Sequence, residues 1–171
     1  MIRRYAVPLA LLAVLVLAVP AWAATYNHDD DSDGAAKLRI ELTGYSYQDN
    51  TPANSTHICC GVIHRRAGGE GTYSNPITVA VPGSGSDMQF AKGTRFYLPT
   101  LRRYVIVEDS GATRMSLPHL DVWIDGRTGT RADTDDCMAD LTGRVTAIRN
   151  PGRGYPVIEG PIYAHGRCRI P

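Results

Sequence analysis

The chain has 171 residues, 43% of them hydrophobic, and its 18 Lys and Arg nearly balance 17 Asp and Glu. That length suits one domain once a leader is removed, and the near-neutral balance offers nucleic acid no electrostatic footprint. The 17 glycines and 11 prolines divide the sequence into short segments.

Arg3 and Arg4 precede an apolar run, Val7 to Val19, and Ala21-Trp22-Ala23 has the small-x-small form of a cleavage site. Residues 1–23 are expected to be a secretory signal, cut after Ala23 or Ala24. The apolar run is short for a bilayer span, which needs about 20 residues. No second such run follows and no cysteine follows the cut, so the expected product is exported, soluble, monomeric and free of a lipid anchor. Its place is extracellular or periplasmic. Residues 24–36 read as an acidic, disordered lead-in. Within it Asp29-x-Asp31-x-Asp33-Gly34 opens like a calcium loop, but the twelfth position is Ile40 rather than glutamate, so no metal is expected there.

From Lys37 the pattern turns to β. Leu38, Ile40 and Leu42 alternate with Arg39 and Glu41, as in a half-buried strand. Further strands are expected at His57–Ile63, Pro76–Val81, Arg95–Leu98, Tyr104–Val107, Leu120–Ile124, Arg144–Ile148 and Val157–Tyr163. Asp133–Leu141 reads as the one short helix, with Thr134 as its cap. Many short strands separated by glycine and proline argue an all-β domain over residues 37–171, closed into a small barrel.

Cys59, Cys60, Cys137 and Cys168 make an even count, which in an exported chain favours two disulfides. Cys59 and Cys60 are expected to pair with Cys137 and Cys168, in an order the sequence leaves open. No CxxC or HxxxH spacing supports zinc, and no cofactor is expected.

The chemistry concentrates between Arg103 and Gly126. A β-branched strand ends on Glu108 and Asp109. The next strand carries Asp121 inside His119-Leu120-Asp121-Val122-Trp123. A carboxylate in an apolar strand is costly unless paired or used. Two on adjacent strands suit acid/base work on a glycosidic bond, and they equally suit a structural hydrogen-bond network. Tyr45, Tyr47, Tyr73 and Trp123 offer flat faces for sugar rings or for the core. His119 reads as a strand-edge residue that is packed or functional. His64, beside Arg65 and Arg66, reads as a loop residue or a contact for an acidic sugar.

Five segments carry a resemblance: Thr43-Gly44-Tyr45, Gly71-Thr72-Tyr73-Ser74-Asn75-Pro76-Ile77-Thr78, Gly93-Thr94-Arg95-Phe96-Tyr97-Leu98-Pro99, Val107-Glu108-Asp109 and His119 to Gly126. In order and spacing the chain resembles the double-psi β-barrel proteins, among them rare lipoprotein A, the three-aspartate domain of lytic transglycosylase A, expansins, barwin and the small barrel endoglucanases. The resemblance implies a six-stranded double-psi barrel and a polysaccharide or peptidoglycan partner. It puts Asp121 where the endoglucanases have their general acid, and Asp109 where the three-aspartate domain has the acid closing a strand. Tyr47-Gln48-Asp49 stands where the endoglucanases carry their base, which makes Asp49 a candidate base. Tyr45, Tyr47, His119 and Trp123 become candidate substrate contacts. The family's early Val-Ala-x-Asp is not matched: Val79-Ala80-Val81-Pro82 has no aspartate. Non-catalytic expansin-like or barwin-like binders of glycan or protein occupy the same barrel, and an exported inhibitor is a third reading.

Overall fold

The computed structural model describes residues 34–171. The expected signal, most of the lead-in and the Asp29-x-Asp31-x-Asp33 triplet lie outside the described residues.

Six strands close a barrel: β1 (Ala36–Tyr45), β2 (Ile77–Pro82), β3 (Arg95–Leu98), β4 (Arg103–Ala112), β5 (His119–Trp123) and β6 (Gly143–Arg149). Their order is β1-β5-β2-β4-β3-β6, and β6 pairs back onto β1. Two pairs, β1 with β5 and β2 with β4, are parallel; the others are antiparallel. This closed six-stranded architecture is compatible with the double-psi class. A small hairpin, β7 (Tyr163–Ala164) with β8 (Arg167–Cys168), follows the barrel.

β2 is buried along its whole length, and β4 from Arg103 to Asp109. Strands covered on both faces lose the polar-apolar alternation, which is why these two read as continuous apolar runs. Ile40, Leu42, Val79, Phe96, Val105, Leu120 and Val122 belong to the main core. Tyr97, Tyr104 and Ile148 form a second cluster, with Tyr97 cross-strand to both of the others and Tyr155 stacked on it. The chain after β6 covers this cluster: Tyr97 Oη donates to Pro156 O at 2.7 Å and Tyr104 Oη to Gly152 O at 2.9 Å.

The helix, α1 (Arg131–Leu141), starts two residues before the expected point. Its cap is Thr130, not Thr134: Thr130 and Asp133 exchange backbone and side-chain bonds in a reciprocal capping box. Thr134 is buried and bonds back to Thr130 O and Arg131 O. α1 lies against β1 at Gly44, where a Cβ would come within 3.1 Å of Met138, 3.2 Å of Ile124 and 3.3 Å of Leu141.

Both disulfides exist, but the expected partners are wrong. Cys59 bonds Cys60, and Cys137 bonds Cys168. Cys137 is sealed between α1 and β8, with its Cα 5.4 Å from that of Cys168, while the Cys59–Cys60 loop is fastened to the far end of β4. The segment 57–63 is accordingly not a strand, because its amides bond to the acids of β4 rather than to a neighbouring ladder. Val157–Tyr163 is irregular up to Tyr163; its amides meet loop carbonyls, Ile158 N to Arg102 O and Gly160 N to Glu70 O.

The Cys137–Cys168 bridge joins residues 31 apart and restrains the unfolded chain. Replacing both by alanine is expected to cost about 3 kcal/mol, read as a lower denaturant midpoint. An unchanged midpoint would show that the bridge adds nothing to the packing of α1 on β1.

Candidate active site

Four register partners lie side by side across four strands. Thr43 on β1 pairs with Asp121 on β5, Asp121 with Ala80 on β2, and Ala80 with Asp109 on β4. The two aspartates are thus separated by one small side chain. A groove of about 580 Å³ opens above this row, lined among others by Thr43, Tyr45, Asp49, Asp109, His119 and Asp121.

A register shift creates the row. Val79 pairs with Val107 but Ala80 pairs with Asp109, so Glu108 is the extra residue of a bulge. A bulge re-aims side chains that a regular strand would alternate. Consecutive acids then serve different places. Asp109 faces the groove. Glu108 is fully buried and holds the disulfide loop: its Oε1 accepts from Val62 N, Ile63 N and His64 N at 2.9, 2.6 and 2.9 Å, and its Oε2 lies 2.6 Å from His64 Nδ1. Burial alone would raise the Glu108 pKa, but the His64 backbone and ring, then Ile63 and Val62, outweigh it and hold the carboxyl below its ordinary value. His64, whose ring is also 2.8 Å from Asn75 Oδ1, is therefore part of the scaffold rather than a contact for an acidic sugar.

Asp109 is also committed. Oδ1 accepts from Cys59 N at 3.1 Å and Ser110 N at 2.9 Å, and Oδ2 accepts from Tyr45 Oη at 3.0 Å. Burial, then the charge and bond of Asp109, push the Tyr45 phenol well above its usual range, so it stays a donor. With both oxygens in use, Asp109 builds the groove wall.

Asp121 is placed differently. Oδ1 meets Thr43 Oγ1 at 2.5 Å, and no protein group among the described residues bonds Oδ2. Burial pushes its carboxyl above the ordinary value; the Thr43 bond and His119 oppose that, while Asp49 and Asp109 add to it. A raised carboxyl pKa is the direction that suits a proton donor. Asp49 stands on an exposed turn at the groove. Its Oδ1 accepts from Ser46 N and Ser46 Oγ at 2.6 and 2.8 Å, and Oδ2 meets no protein donor among the described residues.

His119 is buried, with Nδ1 2.6 Å from Thr113 O and Nε2 2.7 Å from Thr43 Oγ1. Trp123 is not open to a ligand: it is 2% exposed and stands edge-on to Tyr45, with ring centroids 5.2 Å apart. Tyr47 is half-buried against the core and does not line the groove. Thr43 was visible in the sequence only as the start of a Thr-x-Tyr segment; its place opposite Asp121 depends on the β1–β5 register. Among the described residues no group of three or more acidic, His or Cys side chains could hold a metal ion.

Residues 37–169 match the family described as the DDB_G0273701 N-terminal domain. The chain belongs to this family. A Dictyostelium discoideum relative, "Uncharacterized protein DDB_G0273701/DDB_G0273221", is 35% identical over 117 residues, covering 65% of this chain and 49% of that protein. The chain thus spans about half the length of the curated family relative it matches. No solved structure matches.

Proposed function

We propose that this is an exported barrel protein that acts on a wall polysaccharide, cleaving glycosidic bonds with Asp121 as general acid and Asp49 as the base that activates water. Export is supported by the leader pattern and by two disulfides in one small domain. The observation that carries the chemistry is the contrast between the groove acids. Asp121 is pushed toward its acid form with Oδ2 unbonded, Asp49 offers an unbonded Oδ2, and Asp109 has no oxygen to spare. Acid/base cleavage of a glycoside requires two carboxyls in unlike environments, as a half-buried Asp121 and an exposed Asp49 are.

The second reading is a non-catalytic glycan binder in the same groove. It is favoured by the absence of an aspartate from Val79-Ala80-Val81-Pro82, where Pro82 stands in its place, and by the number of protein bonds already made to Asp109. Incubation with insoluble peptidoglycan and with cellulose separates the two. Soluble fragments released by the wild type and reduced about 10²–10⁴-fold by Asp49→Asn support cleavage. Retention on either polymer without fragments supports the binder, and neither retention nor fragments sinks both.

A further inference from the structure

Thr43 stands between His119 and Asp121 with a single hydrogen to give. Nδ1 of His119 faces the Thr113 carbonyl at 2.6 Å, and a carbonyl can only accept, so Nδ1 carries a proton. Nε2 lies 2.7 Å from Thr43 Oγ1, which lies 2.5 Å from Asp121 Oδ1. If His119 is neutral, Nε2 is an acceptor and takes the Thr43 hydrogen. Oγ1 then offers Asp121 only lone pairs, and the contact is favourable when Oδ1 holds the Asp121 proton and donates it to Oγ1. If His119 is an imidazolium, Nε2 donates to Oγ1 and the Thr43 hydrogen turns to Oδ1. The Asp121 proton, when present, then sits on Oδ2.

His119 is 2% exposed, and its remaining backbone donor is held by Gln89 Oε1 at 2.8 Å. His119 lines the groove beside Thr43 and Asp121. We infer that His119 is charged from the groove through Asp121 and Thr43, and that its charge state decides which oxygen of Asp121 carries the proton. The transfer balances as one net proton. A proton from water adds to Oδ2, the Oδ1 proton passes to Thr43 Oγ1, and the Thr43 hydrogen passes to Nε2. His119 and Thr43 are thereby positioning residues that act through Asp121.

The charged groups around the pair are few. Tyr45, Asp49 and Asp109 act on Asp121. Glu41, the register partner of His119, is turned to Arg144, whose Nε lies 2.9 Å from its Oε1. His57 lines the same groove. Ala80 brings no charge on the β2 side.

The inference rests on the proposed acid only for its effect on cleavage; the proton array itself is tested without substrate. Nitrogen NMR of ring-labelled protein follows both His119 nitrogens against pH, with the Asp121 carboxyl carbon followed in parallel. Expected is a proton on Nδ1 throughout, a proton gained by Nε2 on acidification, and a shift of about one pH unit in the His119 midpoint in Asp121→Asn. Thr43→Val should abolish that dependence and Thr43→Ser should keep it. A His119 protonated only on Nε2, or a His119 curve unmoved by Asp121→Asn, overturns the inference. Should Thr43→Val not fold, the tautomer and the Asp121→Asn shift decide alone. A coupled titration in a protein that releases no sugar would refute the glycosidase reading and leave the proton array standing.

Discussion

Glu108→Ala is expected to destabilise the protein by about 3–5 kcal/mol, because three backbone N–H groups and the His64 ring lose their charged, fully buried acceptor at once. In a domain of this size that lowers Tm by roughly 10 °C or more. The loop it releases carries the Cys59–Cys60 bridge and one groove wall, so the damage is both thermodynamic and local. The pH dependence has a definite sign. Glu108 has a folded-state pKa below its unfolded value. Its contribution is therefore present above the unfolded value and lost as pH falls through the folded one. Chemical denaturation of wild type and Glu108→Gln across the acid range measures this, and the two should converge at low pH. A wild-type advantage that persists unchanged below the folded pKa would refute the role given to the carboxylate.

Asp121→Asn has the opposite signature. Cleavage should fall about 10²–10⁴-fold, the usual loss when a positioned proton donor is removed. Stability should hold or rise at neutral pH. The folded-state pKa of Asp121 is raised, so the folded chain binds its proton more tightly than the unfolded chain does. Stability is then lost as pH climbs through the folded value, and a neutral amide escapes that loss. Denaturant midpoints of both proteins at low and neutral pH test this. A variant that is markedly less stable at neutral pH would make Asp121 a structural carboxylate like Glu108.

Much of the barrel was legible because its strands carry the pattern that burial imposes. β1 alternates, and β2 and β4 read as unbroken apolar runs since the loops and the tail cover their outer faces. The two segments wrongly read as strands lack a regular ladder: side chains and isolated carbonyls satisfy the backbone there. Residues 57–63 look like a strand, yet their amides go to Glu108 and Asp109. The cysteine partners were misassigned because the Cys59–Cys60 loop is held at β4, away from α1. At the site, Asp121 and Asp49 were marked by their motifs, and both line the groove. The division of labour between Glu108 and Asp109 depends on a one-residue bulge, which no local pattern announces. Trp123 shares the face of Asp121, two residues before it on β5, yet it is 2% exposed with Tyr45 standing edge-on to it, a cover that alternation alone does not announce.

The cleavage proposed for the groove has Asp121 as its acid. The direct measurement is the yield of new sugar ends from peptidoglycan and from cello-oligosaccharides, with wild type and Asp121→Asn assayed side by side at equal folded concentration. Product is expected from the wild type on at least one polymer, with a loss of at least about 100-fold in the variant. Equal yields from the two proteins, or no product from either, would contradict the proposal.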